Sequence, residues 1–243
     1  MIPSVSTKPI LIFSRILKVF DKVIPRLPFL IAIDGPAGSG KGTIAKLLSE
    51  KLDLNYLDSG AIYRLIALSS LQEGINLNDA ESIISHLKEI DIKFSGGAAF
   101  LNSIEVSTQI RTQEVGRIAS KIAQHIGVRN QILQVQRDFF CGRGLVAEGR
   151  DMTTVVFPNA DLKIYLDASP TERAKRRYKQ LISKGIDANI TDLAEEIKAR
   201  DRQDMDRIYS PLKIARDAII LNSDDLSIDQ TVDAIILHLK DVH

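Results

Sequence analysis

A chain of 243 residues is long enough to bury one sizeable core and lies near the upper end of what a single domain carries. Its 44% hydrophobic and 26% charged residues exclude a disordered or collagen-like chain, and 32 Lys and Arg against 31 Asp and Glu leave a net charge of +1, with no global pull towards nucleic acid. One cysteine, Cys141, excludes an intrachain disulfide, and no run reaches the roughly 18 apolar residues of a membrane span, so a reduced, cytoplasmic protein is expected.

In chain order, residues 1–28 form a basic and apolar extension, with Lys8, Arg15, Lys18, Lys22 and Arg26 against Asp21. Ile10 to Phe20 can line one side of a short helix, and residues 8–24 would then suit an anionic membrane surface or an organelle-targeting role; a loosely packed appendage is the alternative. Folded pattern starts at Phe29-Leu30-Ile31-Ala32-Ile33, a short buried strand, followed by a glycine-rich turn and a helix from Lys41 to about Leu52. Tyr63 to Leu71 reads as a second helix, and Asp79 can cap a third through Ile83, Ile84 and Leu87. From Ile90 to Val106 the period changes, with Ile92 and Phe94 alternating with polar neighbours in a small β excursion turning at Gly96-Gly97. Arg111 to Phe140 returns to helical spacing. Leu145-Val146-Ala147, Leu162 to Leu166 and Ala218 to Leu221 read as further strands separated by helices, the pattern of a parallel α/β sheet. Ser169-Pro170-Thr171-Glu172 has the spacing of a capping box, and Ser227 can cap a terminal helix.

Gly35-Pro36-Ala37-Gly38-Ser39-Gly40-Lys41-Gly42-Thr43 follows a strand and opens a helix. Such a loop turns backbone N–H groups and a helix terminus towards phosphate, with Lys41 reaching the transferred group and Thr43 offering a hydroxyl to magnesium. Gly42 is a departure from the general pattern, because the hydroxyl residue comes one place later. Asp34 and Asp58 stand at strand ends, where either can position Mg²⁺ through water. Ser59 and Arg64 suit a base or a phosphate, or else are a cap and a solvated charge. Arg150 and Asp151 belong to a polar cleft or to a structural ion pair. Arg173, Lys175, Arg176, Arg177 and Lys179 crowd one helix, where they can close over phosphates or bind a nucleic-acid backbone; poor aromatic interleaving favours the phosphates. Gly185 is a place for that element to hinge. Arg200, Asp204 and Arg207 share one helical face, as a solvated ladder or as a grip on a nucleotide.

Taken together, the phosphate loop, Leu57-Asp58-Ser59-Gly60-Ala61-Ile62-Tyr63-Arg64, Ile110-Arg111-Thr112-Gln113-Glu114-Val115, Gly149-Arg150-Asp151-Met152 and Glu196-Ile197-Lys198-Ala199-Arg200-Asp201 make the chain from Leu30 to Leu239 resemble the cytidylate kinase family of nucleoside monophosphate kinases. The resemblance implies an α/β, P-loop nucleoside monophosphate kinase-like three-layer fold with a central parallel sheet. Residues 29–240 would be one kinase domain with an inserted acceptor-binding subdomain at about 57–113 and a short lid at about 173–190. It implies transfer of the γ-phosphoryl of ATP to CMP and dCMP with Mg²⁺, without nucleic acid or an obligate protein partner. By the same correspondence Ser59, Arg129, Asp151, Arg200 and Asp204 would surround the pyrimidine or sugar, and Arg64, Arg150 and Arg207 would hold the acceptor phosphate. Lys41, Arg150, Arg176 and Arg177 would serve the transfer itself. Two departures from the family pattern are Thr154, where relatives have Gly, and a short excursion at 92–106. The competing readings are a kinase for another monophosphate or small metabolite, and a nucleotide-switched or RNA-binding module built on the Arg-rich helix.

Overall fold

The computed structural model describes residues 27–95, 97–183, 185 and 187–239. The helix expected within residues 8–24 therefore lies outside the described residues. So does Gly96 of the Gly-Gly turn.

Strand β1 (Phe29–Asp34) is buried along its whole length, as a near-continuous apolar run in a parallel sheet must be. It lies at the centre of a five-stranded parallel sheet with β2 (Asn55–Asp58), β6 (Gly144–Gly149), β7 (Leu162–Asp167) and β8 (Ile219–Asn222), in the order β2-β6-β1-β7-β8. The period of two divides β1 between the faces. Phe29, Ile31 and Ile33 pack with Ile44, Leu48 and Leu52 of α1 (Lys41–Leu52) and with Val232, Ile235 and Leu239 of α8 (Ile228–Leu239). Leu30 and Ala32 face α2 (Ser59–Gln72), α4 (Gln113–Ile122) and α5 (Ile126–Asp138), through Ile62, Ile66, Val115, Ile122 and Ile132. The result is the expected three layers, each fully buried Ile, Leu or Phe contributing about 1.5–3 kcal/mol of transfer free energy. Above this core, α3 (Ala80–Leu87) leads into an antiparallel sheet of β3 (Ile92–Ser95), β4 (Ala98–Leu101) and β5 (Ile104–Glu105). Leu101 seals it from below and an edge-to-face contact of Phe94 with Phe139 ties it to α5.

Several elements differ from the sequence expectation for local reasons. Helix α2 begins at Ser59, four residues earlier than the apolar period suggests, because the Asp58 carboxylate accepts from Ala61 N at 2.9 Å and caps it. The tract 111–140 is two helices, broken at residues 123–125 after a short 3-10 turn at Gln109–Arg111. All three caps read from the sequence are present: Asp79 Oδ1 accepts from Glu81 N before α3, Ser169 Oγ accepts from Glu172 N at the start of α6 (Pro170–Ile182), and Ser227 and Gln230 bond reciprocally at the start of α8. Thr154 lies in a single π-turn, Met152–Val156, and its φ is not positive, so its β-branch meets no left-handed strain there.

Strand β6 starts at Gly144 with φ +132°, where a Cβ would stand 2.0 Å from the Phe29 carbonyl oxygen and 2.6 Å from its nitrogen. Only glycine lets the two central strands meet there. Gly144→Ala is therefore expected to cost about 3 kcal/mol, read as a lower denaturant midpoint; a midpoint equal to the parent's would show that the strands can separate at no cost.

Candidate active site

The parallel register aligns the carboxyl ends of three strands, with Asp34 beside Gly149 and Asp58 beside Glu148. The phosphate loop leaves β1 at this edge. Gly38 (φ +81°) and Gly40 (φ +93°) supply left-handed turns, and α1 starts with no side-chain cap, so its first N–H groups are free to face an anion. Lys41 is buried and its Nζ donates back across the loop to Pro36 O at 3.2 Å. Gly35 is closed against β7, where a Cβ would lie 2.1 Å from Leu166 O, so Gly35 and Pro36 shape the loop from behind. Gly42 also has a reason: a Cβ there would press on Glu148 Oε1 at 3.2 Å.

Glu148 was not singled out by the sequence reading. It is buried, 3.9 Å from Lys41 Nζ, and burial together with neighbouring Asp58 pushes its carboxyl up to about 7. Burial, and then Arg150, pushes Lys41 down to about 8. An acidic residue directly after the apolar run Leu145-Val146-Ala147 is the signal that would have found it. Asp58 spends its second oxygen on Arg111 Nη2 at 2.9 Å.

Asp34 is a correction. Its carboxylate accepts from Met152 N, Thr153 N and Thr153 Oγ1 at 2.9, 2.8 and 2.6 Å, is fully buried, and braces the turn after β6 rather than facing a metal. Burial pushes it up to about 6, against these three donors.

The turn that Asp34 braces carries Arg150 and Asp151. Arg150 Nε donates to Asp204 Oδ2 at 2.7 Å, Arg207 bonds Asp204 Oδ1, and Arg200 Nε lies 3.9 Å from the same carboxylate. Asp204, on α7 (Ile190–Met205), has no exposed surface. Arg207 lies beyond the end of α7, so Arg200, Asp204 and Arg207 do not share one helical face as expected; they meet around the buried Asp204 and form no solvated ladder. Burial works to raise the Asp204 carboxyl, but the three guanidiniums hold it below the usual carboxylate range. Asp151 is paired instead with Arg129, which also stacks over the Tyr63 ring at 5.5 Å. Ser59 Oγ accepts from Gln136 Nε2 at 2.8 Å, and Arg64 Nη1 donates to Ile110 O and Thr112 O at 2.7 and 3.2 Å.

The three arginines among the five basic residues of α6 make unlike contacts. Arg173 is buried in a bidentate pair with Asp201 and also donates to Ala37 O at 3.0 Å, so it supports the loop. Arg176 donates to Ser39 O and to Ser223 O, which places it against the phosphate loop. Arg177 Nη1 donates to Gln180 Oε1 at 3.1 Å, and the side chain lines both cavities. Gly185 has φ +72° and its N–H closes onto Ile182 O just beyond α6.

Two cavities, of about 1060 and about 710 Å³, meet at the loop and share Gly38, Gly40, Thr43, Arg64, Arg177 and Arg200. The larger continues between Arg176 and the segment from Ser223 to Thr231. The smaller is lined by all eight residues assigned to the acceptor from the sequence: Ser59, Arg64, Arg129, Arg150, Asp151, Arg200, Asp204 and Arg207. Ser39 Oγ, Arg200 Nε and Arg207 Nε, on residues of these walls, are buried without a hydrogen-bond partner among the described residues. Among the described residues no group of three His, Cys, Asp or Glu can hold a metal; Thr43, on the wall of both cavities, is the hydroxyl that would reach a magnesium ion there.

Comparison with known proteins is consistent with this geometry. Residues 31–241 match the family model described as cytidylate kinase. A cytidylate kinase of Pasteurella multocida is 50% identical over 207 residues, covering 84% of this chain and 91% of the relative. Those of Nitrosomonas europaea and Thermosipho melanesiensis are 45% and 46% identical, covering 85% and 88% of this chain and 93% and 98% of the relatives.

Two expectations follow from the charges. Asp204→Asn leaves three guanidiniums facing one another without their carboxylate and should cost about 3 kcal/mol in urea unfolding; unaltered stability would remove Asp204 from the centre of the cluster. Lys41 is charged below about 8 and neutral above it, so affinity for a non-hydrolysable ATP analogue should fall as pH rises through that value. Glu148→Gln removes an anion that keeps Lys41 protonated and should move the fall to lower pH; a pH-independent affinity would count against both roles.

Proposed function

The chain belongs to the cytidylate kinase family and transfers the γ-phosphoryl of ATP to CMP and dCMP, and on that premise we propose that its two cavities divide the reaction, the larger taking ATP and the smaller the acceptor. The observation that carries this division is their junction at the phosphate loop, flanked by Arg64, Arg177 and Arg200. Donor phosphates placed on the uncapped N-terminus of α1 would lie at that junction, beside the arginines around Asp204.

In this assignment residues Gly35 to Thr43 form the donor cradle, and Lys41 offsets charge on the transferred group. Arg64, Arg150 and Arg207 hold the acceptor phosphate in line, and Arg200 spans the two sites. Arg129 and Asp151, locked together, shape the wall for the pyrimidine or sugar with Ser59 and Asp204. Arg176 and Arg177 cover the developing charge from α6, the residues at about 173–190 acting as lid, and the segment at about 57–113 acts as the acceptor-binding subdomain. Thr43 would offer its hydroxyl to a magnesium ion brought in with ATP, which would supply neutralisation of the donor phosphates' charge. No general base is needed, because a monophosphate dianion is already a nucleophile. Exclusion of water by the arginine-lined walls suppresses hydrolysis of ATP. Small nucleotide substrates and the single Cys141 fit a cytoplasmic enzyme, and among the described residues no helix is long and apolar enough to cross a membrane.

The test is initial-rate ADP formation with ATP, Mg²⁺ and each of CMP, dCMP, UMP, AMP and GMP, with mass identification of the products. CMP and dCMP are expected to lead, and Lys41→Ala to lower kcat by about 100-fold or more. Near-parent turnover by that variant would remove Lys41 from the transfer, and preference for a purine monophosphate would reassign the smaller cavity.

A further inference from the structure

Gly116 lies inside α4 and is buried, on the wall of the larger cavity beside Arg64, which lines both cavities. Glycine within a helix costs about 1 kcal/mol relative to alanine, so its presence calls for a local reason. The space its missing side chain leaves is taken by one group. A Cβ at this position would stand 2.7 Å from Arg64 Nη2, 3.0 Å from Nη1 and 3.1 Å from Cζ, the three nearest atoms all belonging to that guanidinium.

The turn before Gly116 completes the seat. Ile110 O and Thr112 O accept from Arg64 Nη1, and Gly116 N bonds the same Thr112 carbonyl at 3.1 Å. On its other side, the Gly116 carbonyl accepts from Arg200 Nη1 at 3.2 Å. One backbone position thus sets two guanidiniums that approach from different helices, α2 and α7. Both are cations whose mutual repulsion would otherwise drive them apart.

We propose that Gly116 is a positioning residue for the acceptor phosphate: its bare α-carbon admits the Arg64 guanidinium against α4, and its carbonyl holds Arg200 beside it. This rests on the assignment of Arg64 to the acceptor phosphate. A methyl group at 116 would push the end of a flexible side chain and leave the backbone and the Arg200 contact in place. It moves the arginine without unfolding the helix.

The test is steady-state kinetics and thermal unfolding of the full chain for the parent, Gly116→Ala, Arg64→Ala and the double variant. Gly116→Ala is expected to unfold at or above the parent's temperature, because alanine favours the helix, while KM for CMP rises about tenfold and KM for ATP rises less. In the Arg64→Ala background the same change should add nothing to KM for CMP, the coupling expected of groups that act as one. A parent-like KM for CMP in Gly116→Ala, a lowered unfolding temperature, or a full second loss in the double variant would each overturn the role. If Arg64→Ala alone leaves KM for CMP unchanged, the assignment of Arg64 itself fails, a result distinct from failure of Gly116.

Discussion

Three guanidiniums around the buried Asp204 are the constraint on which the rest of the site depends. A carboxylate without exposed surface is costly unless its oxygens are bonded, and here Arg150 and Arg207 bond them while Arg200 lies within ion-pair distance. Burial and neighbouring guanidiniums push Arg200 and Arg207 down, while Arg150 is held up by Asp204 despite its burial. One anion for three cations leaves net positive charge facing the smaller cavity, in a setting of reduced dielectric. A phosphate entering there meets charge that is already oriented and desolvated, the arrangement that stabilises transferring phosphoryl groups most effectively.

The sheet explains how that cluster is aimed. Arg150 sits on the turn after β6, and Asp34, from the adjacent strand β1, grips the next residues through three hydrogen bonds. The same strand launches the phosphate loop, so the loop and Arg150 are carried by neighbouring strands of one sheet edge. Helices α6 and α7 approach from the other side, and the Arg173–Asp201 pair joins them to each other and to Ala37 of the loop. The phosphate loop, α6 and α7 are thereby joined through one guanidinium.

Much of this is legible residue by residue. The uninterrupted apolar run of β1 followed by a glycine-rich loop has few other solutions, and Ser169-Pro170 and Ser227 announce their helices through chemistry confined to four residues. Asp34 is not legible in the same way. A carboxylate at the end of a strand before a phosphate loop suggests a metal, and only its pairing with residues 152 and 153, more than a hundred positions away, shows it to be a brace. Glu148 and Gly116 escape for the same reason, since what each touches, Lys41 in one case and Arg64 in the other, comes from a distant element.

The sequence by itself determined the period of the elements, the phosphate loop, the order of the motifs and the family to which they belong, because each depends on spacing within a few residues or on their succession along the chain. Tertiary structure decided which charges are partners: that Asp204 gathers Arg150, that Asp151 belongs to Arg129, that Arg173 supports the loop while Arg177 lines both cavities. The physical reason is that a charge takes its role from burial and from the groups within a few ångströms. Those are set by the packing of strands and helices that the sequence separates widely.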